Sequence, residues 1–252
     1  MSHVMGDTDY DLVGTAYSRI RRTDPRIAAL VHDALGVART VVNVGAGAGS
    51  YEPLDRHVLP VEPSPAMRAQ RPAHLAPAID GVAQHLPFDD DAVDAAMAMV
   101  TLHQWPDPVA GLREMRRVAR GPVVVLTFDG DELDRLWLMD YVPELRTAEA
   151  ARFPAVATIT DALGPGTRVH PVRVPIDCVD GFTEAYYARP ESFLDPAVRR
   201  AQSAWTFLEP GVEERAMEAL AADLASGTWD ERYGGHRTQP EFDGALRLIV
   251  SP

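Results

Sequence analysis

Three glycines at alternate positions, Gly45, Gly47 and Gly49, follow an apolar run over 41–44. Without a Cβ, such a turn can take backbone angles closed to other residues and bring main-chain N–H groups directly against a ligand. Glu62 ends the next apolar run, "HVLPVEP". If the two runs are neighbouring strands, its carboxylate stands beside the turn, where it can accept both hydroxyl hydrogens of a ribose. A glycine turn with a strand-end acid implies an adenosine site. Two ligands satisfy that requirement: a dinucleotide that carries hydride, or a sulfonium that carries a methyl group. The dinucleotide reading expects G-x-G-x-x-G/A opening a helix whose N-terminus faces pyrophosphate. Here the third glycine comes one place early, Ser50 stands last and Pro53 interrupts any helix after the glycines, so a pyrophosphate cradle fits poorly.

The elements that must hold this turn are legible in the pattern. Thr23-Asp24-Pro25 caps a helix over "RIAALVHDALG", because an oxygen ahead of a proline satisfies the first turn. Residues 40–44 read as the first strand, 57–62 as the second, "SPAMRAQR" as a helix capped by Ser64, and "LAPAID" as a weak third strand. "VDAAMAMV" and "PVVVLTF" are nearly all apolar, as strands covered on both faces should be, with the amphipathic helix "DPVAGLREMRRVARG" between them. This alternation predicts an α/β fold: a mostly parallel, doubly wound sheet in three layers. Beyond 131, helices are expected over "DELDRLWLMDYV" and "FPAVATITDALG". One strand is expected over "RVHPVRVPIDCV", with Val172, Val174, Ile176 and Cys178 on one face, then a helical block over 182–229 and a closing strand "GALRLIVSP". The domain organisation is a single unit over 1–252: N-terminal helices over 1–39, a cofactor-binding core over 40–130 and a helical lid insertion over 182–229.

With 24 Lys plus Arg against 37 Asp plus Glu, the net charge is −13. That balance repels phosphate backbones and anionic lipid, which argues against nucleic acid or a membrane surface as partner and leaves a small-molecule substrate. The single cysteine, Cys178, cannot form an internal disulfide, and the eight histidines lack metal-ligand spacing, so no metal is expected. No basic flank with an apolar export stretch opens the sequence, and no run of about 18 apolar residues occurs, so a cytoplasmic location is expected.

The stretches "VVNVGAGAGSYE", "VEPSPAM", "AQHLPFDDDAVDAAMA" and "TLHQWPDPVAGLREMRRVARGPVVVLTF", in that order, closely resemble the class I S-adenosylmethionine-dependent methyltransferases, in particular their small-molecule branch. They cover about a third of the chain. The resemblance implies a Rossmann-like sheet of seven strands whose last strand is antiparallel, and S-adenosylmethionine as cofactor. It implies that Gly45, Ala46 and Gly47 lie against the methionine and ribose, that Glu62 binds the ribose, and that Pro63 and Met67 line the adenine with Ala83 and Gln84 at its edge. The carbonyl of Val100 would meet the adenine amino group. The N-terminal "YDLVGTAYSRIRR" resembles the helix that closes over the cofactor, which makes Tyr17 and Arg22 candidates for its carboxylate. Two positions depart from the family pattern, Asn43 and Val82 standing where acids are usual; polar contacts of that kind are worth about 0.5–1.5 kcal/mol each.

A sulfonium methyl is already electrophilic, so such a site chiefly holds a nucleophile in line and keeps water away. Positioning supplies about 7–11 kcal/mol of a barrier, against roughly 10²–10⁴-fold from a general base. His103, in "TLHQW" after the fourth expected strand, is the candidate catalytic base, with His85 second. Phe182, Tyr186, Tyr187, Trp205 and Phe207 supply aromatic surface to roof a substrate. Trp105 reads as packing. Arg113, Arg116, Arg117 and Arg120 share one helix face near its C-terminus and read as solvated charges complementing the dipole, not as a phosphate patch.

Overall fold

The structure, a computed structural model, describes residues 20–252. Its centre is a six-stranded sheet in the order β2-β1-β3-β4-β8-β5: β1 Thr40–Val44, β2 His57–Val61, β3 Ala95–Met99, β4 Val123–Phe128, β5 Arg168–Pro171 and β8 Leu246–Ser251. The first four strands are parallel, and β8 runs antiparallel between β4 and β5. The central strands carry unbroken apolar sequence because both faces are covered. Successive side chains feed opposite layers. Val41, Met97 and Val124 enter one apolar cluster while Val42, Ala96 and Val125 enter the other.

Helix α1 (Pro25–Ala34) is capped by Asp24, and α2 (Pro65–Ala69) by the Ser64 hydroxyl, both as anticipated from an oxygen ahead of proline. Helix α3 (Pro108–Val118) is capped by Asp107 and buries Leu112, Met115 and Val118 on one face. Arg113 is exposed as expected, but the other three arginines of the group are more engaged than a solvated face requires. Arg117 pairs with Glu114 and Asp90, Arg120 with Asp94, and Arg116 donates to the carbonyls of Ala119, Gly121 and Pro252.

The expected seventh strand is reduced to a parallel bridge between Val61 and Ile79. The Ile79 N–H reaches the Pro60 carbonyl at 2.8 Å and the Glu62 N–H reaches the Ile79 carbonyl at 3.0 Å. Two residues earlier Pro77 has no N–H to continue that ladder. The stretch "RVHPVRVPIDCV" is likewise divided: β5 pairs with β8, whereas β6 (Val174–Pro175) pairs with β7 (Glu241–Phe242) in a separate two-stranded sheet. Pro171 and Pro175 remove the donors a continuous strand would need. Val172, Val174 and Cys178 are buried as anticipated, and burial raises the Cys178 thiol to about 12, an inert core group.

After β4 the chain runs through α4 (Leu138–Tyr141), α5 (Pro143–Arg152) and α6 (Val156–Leu163). The block expected over 182–229 consists of 3₁₀ turns, α7 (Pro196–Arg200) and α8 (Val212–Ser226), followed by α9 (Thr228–Tyr233). No helix among the described residues is long and apolar enough to cross a membrane.

The N-terminal segment is fastened to this block. Asp180 accepts from Arg21 Nε at 2.8 Å and from the Tyr51 hydroxyl at 2.7 Å, and the Thr23 hydroxyl accepts the Tyr51 N–H at 3.0 Å. Burial first, then Asp180, pushes the Tyr51 phenol well above its ordinary value, so it stays a donor.

Glu184 is the buried acid of the helical block, 3% exposed, with Oε1 accepting the Ala245 N–H at 2.6 Å. Burial raises its carboxyl to about 7, against the pull of that N–H and of Arg247. Between the unfolded value of 4.5 and about 7 the folded chain therefore holds a proton that the unfolded chain has released. Its stabilising share is full at low pH and falls as pH rises through that window, by about 3 kcal/mol at 1.36 kcal/mol per unit. Denaturant titrations of Glu184→Gln beside the parent are expected to give a stability difference that grows in the variant's favour from pH 4.5 to 7 and is flat above.

Candidate active site

The carboxyl ends of β1 and β2 meet at the glycine turn. Gly45 and Ala46 both donate to the Val61 carbonyl, at 2.9 and 3.0 Å. The Glu62 carboxylate accepts the Gly47 N–H at 2.8 Å through Oε2 and the Ser64 N–H at 2.9 Å through Oε1, leaving each oxygen a lone pair for a ligand. Burial raises the Glu62 pKa, and the two N–H bonds oppose it. Gly45 has φ +69°, and a Cβ there would meet Thr101 Oγ1 at 2.2 Å. The chain from 45 to 56 contains no helix, so no helix N-terminus stands ready for a pyrophosphate.

Under the turn lies a buried ion pair that sequence reasoning missed. Arg71 grips Glu52 through Nη2 at 2.8 and 3.0 Å, with side chains 3% and 1% exposed, and Arg71 Nη1 donates to the Gly47 carbonyl at 3.2 Å. Asn43 Nδ2 donates to Glu52 Oε1 at 2.9 Å, which fixes the amide and leaves the buried Oδ1 without a protein partner, on the wall of the cavity. The acid absent at position 43 thus has a counterpart in Glu52, neutralised by arginine and reaching the cavity through an amide. The only sequence signal was two charged residues of opposite sign, 19 apart, which no local pattern connects.

Two cavities open here. The larger, with about 650 Å³ of water-accessible space, is lined by Gly45, Ala46, Gly47, Glu62, Pro63 and Met67 among others; Ala83, Gln84 and His85 line it too. The smaller, with about 50 Å³ of such space, is walled by His103, Phe128, Phe153 and Phe182 under the helical block. Val100 and Arg21 belong to both linings. Val100 is held at φ +51°, a strained angle for a β-branched residue, with its N–H on the Leu126 carbonyl at 2.7 Å.

Of the expected cofactor residues, Gly45, Ala46, Gly47, Glu62, Pro63, Met67, Ala83, Gln84 and Val100 all line the larger cavity. Val100 stands where the cavities join, whereas Ala83 and Gln84 line the larger one alone. Arg22 is exposed and lines neither cavity; its neighbour Arg21 does, because the Asp180 pairing turns Arg21 inward. Tyr17 lies outside the described residues. Val82 is 38% exposed, and Asp80, two residues earlier, lines the cavity while pairing with Arg68 at 3.1 Å.

His103 lines the smaller cavity and His85 the larger. His103 packs against Phe153, ring centroids 4.8 Å apart, and burial, then Arg152 and Arg21, pushes its pKa well below the ordinary value, leaving the imidazole neutral. Of the five aromatics expected to roof a substrate, Phe182 alone lines the smaller cavity. Tyr187 is core, stacked on Phe242, and Phe207 lies outside under Arg152. Trp105 packs against Gly111, where a Cβ would come within 2.5 Å of its ring, and also lines the larger cavity.

Residues 42–125 match the family profile described as a methyltransferase domain. A crystal structure described as a methyltransferase from an antibiotic biosynthesis pathway of Anabaena variabilis is 30% identical, with a TM-score of 0.85, over 93% of this chain and all of that one. The chain belongs to the class I S-adenosylmethionine-dependent methyltransferases. Among curated sequences, an uncharacterized methyltransferase of Mycobacterium tuberculosis, and its counterpart in Mycobacterium bovis, are 36% identical over 91 residues. That match spans about a third of each relative, 36%, and 33% of this methyltransferase. The geranyl diphosphate C-methyltransferase of Streptomyces coelicolor, crystallised with S-adenosyl-L-homocysteine, shares the fold at 16% identity and a TM-score of 0.51, over 90% of this chain and 75% of that one.

The buried pair under the methyltransferase's glycine turn makes a sharp prediction. Arg71→Met is expected to cost about 3–5 kcal/mol in denaturant unfolding, because it strands Glu52 as a lone buried charge. The double variant Glu52→Gln, Arg71→Met should recover most of that loss. Gly45→Ala is expected to weaken cofactor binding at least tenfold in calorimetry, since it combines left-handed strain with the Thr101 clash.

Proposed function

We propose that this methyltransferase moves the activated methyl of S-adenosylmethionine to a small organic molecule held in the smaller cavity. The observation that carries the reading is the pair of adjoining cavities with Val100 and Arg21 common to both, one bearing the glycine turn and Glu62, the other mostly apolar. One ligand in each would meet at that shared wall.

The larger cavity fits the cofactor in its donor set. The Glu62 oxygens keep lone pairs for two ribose hydroxyls, the cradle at Gly45 admits no Cβ, and Asn43 Oδ1 is an unpartnered acceptor suited to an ammonium. When bound, S-adenosylmethionine supplies an electrophilic methyl on sulfonium sulfur. The chain's own contribution is to hold and enclose. Gly45, Ala46, Gly47 and Glu62 would seat the ribose and methionine side, Pro63, Met67, Ala83 and Gln84 the adenine, and the Arg21–Asp180–Tyr51 tie keeps Arg21 at the junction. His103 offers a neutral nitrogen where a nucleophile would lie. The Anabaena relative's setting in antibiotic biosynthesis is in keeping with a small organic acceptor.

Calorimetric titration with S-adenosylmethionine and with nicotinamide dinucleotide tests the reading directly. Binding of the first and not the second is expected, followed by S-adenosylhomocysteine release in an acceptor screen; binding without product from any acceptor would leave a binding or regulatory protein instead. Glu62→Ala should raise the dissociation constant on the order of 10²-fold, the worth of two hydrogen bonds to a charged group.

A further inference from the structure

Resting on the methyl-transfer reading, the charge and hydrogen bonding of the smaller cavity narrow its occupant. Three phenylalanines, Phe128, Phe153 and Phe182, form its body, joined edge to face through Phe128 at 5.6 Å to each of the other two. Such walls take a flat apolar ring. The charged groups on the lining are committed: Arg21 to Asp180 at 2.8 Å, and Glu149 to Arg152 at 3.6 Å. Glu184 is held by the Ala245 N–H at 2.6 Å. A carboxylate entering here would be desolvated without an opposite charge available to it, and a cationic amine would meet only Glu184, whose burial raises its carboxyl to about 7 and so disfavours the charged form.

Three polar atoms on this lining are buried with neither a hydrogen bond nor an ion pair: His103 Nδ1, Gln202 Nε2 and Glu184 Oε2, the last packed against Gly244. The Gln202 amide is oriented by its neighbours. Its Oε1 accepts from the Thr183 hydroxyl at 2.8 Å and from Trp205 Nε1 at 3.2 Å, so the oxygen is spoken for and the NH₂ is the end left over. Gln202 is 4% exposed. A buried donor in this condition costs about 1–3 kcal/mol, which a ligand oxygen would remove.

We propose that the acceptor is a neutral hydroxylated aromatic compound carrying a second, hydrogen-bond-accepting oxygen such as a carbonyl, with its hydroxyl at His103 Nδ1 and its other oxygen at Gln202 Nε2. The product is then an aryl methyl ether. The hydroxyl proton passes to Nδ1, the oxygen's freed pair forms the O–C bond to the methyl carbon, and the C–S pair stays on sulfur, which becomes a neutral thioether. The imidazolium returns its proton to solvent as product leaves. A phenol needs this base because it is un-ionised near pH 7. Gln202 is the specificity determinant, since a site built to bond an oxygen rejects the analogue without it.

The test uses the full chain with S-adenosylmethionine and four acceptors of one size: a hydroxyphenyl ketone, the corresponding ethylphenol, an aryl ethylamine and a hydroxybenzoate. Acceptor affinity is measured in the presence of S-adenosylhomocysteine, and turnover by its release. The ketone is expected to exceed the ethylphenol at least tenfold and the two charged compounds about a hundredfold in kcat/KM. Gln202→Met should bring the ketone-to-ethylphenol ratio near one while cofactor affinity stays at the parent value. His103→Ala should lose about 10²-fold or more on the ketone and regain most of it on a nitrophenol already ionised at neutral pH. Preference for the amine or the benzoate, an unchanged ratio in Gln202→Met, or no binding by either neutral phenol overturns the inference while cofactor binding persists. Failure of the parent protein to bind S-adenosylmethionine overturns the methyl-transfer reading instead.

Discussion

The site depends on one junction, where the end of β2 holds the turn that comes after β1. The Val61 carbonyl takes two N–H groups from the turn, and the next residue, Glu62, takes a third. Three bonds to consecutive residues of one strand fix a loop that lacks the regular ladder of a strand or the turn of a helix. The carboxylate that organises the protein is then also the one with lone pairs facing the cavity. Its raised pKa expresses the cost of that burial, and ligand hydroxyls aimed at the same oxygens would offset it.

Beneath this junction the Glu52–Arg71 pair carries the turn from the other side, Arg71 bonding the Gly47 carbonyl while Glu62 bonds the Gly47 N–H. Gly47 is thereby held at both of its peptide groups by charged side chains from different parts of the chain. Above it, Asp180 connects Arg21 of the N-terminal segment to Tyr51 at the far end of the same loop. The glycine loop, residues 21–23 and the chain leading into the helical block therefore meet in one polar network.

Much of this was readable along the chain. The doubly wound core from 40 to 128 is implied by unbroken apolar strands alternating with capped helices, signals carried within windows of about ten residues. Glu62 was identifiable because strand-end position alone puts it beside the turn. The failures share a cause. The third strand and the long strand after 168 were patterned correctly in hydrophobicity, but Pro77, Pro171 and Pro175 remove ladder donors, and periodicity does not register a missing N–H. Arg21, not named from the sequence, lines both cavities, and the partner that turns it inward, Asp180, lies about 160 positions away.

What the sequence by itself determined is the class of fold, the glycine turn and the strand-end acid beside it, because each rests on local backbone chemistry or on the order of neighbouring strands. Tertiary structure alone decided which side chains line the second cavity, which charges are already paired, and which way the Gln202 amide points. Those properties arise from residues distant in the chain that meet only after the sheet has closed with β8 inserted beside β4, and hydrogen bonding between such residues has no period to read.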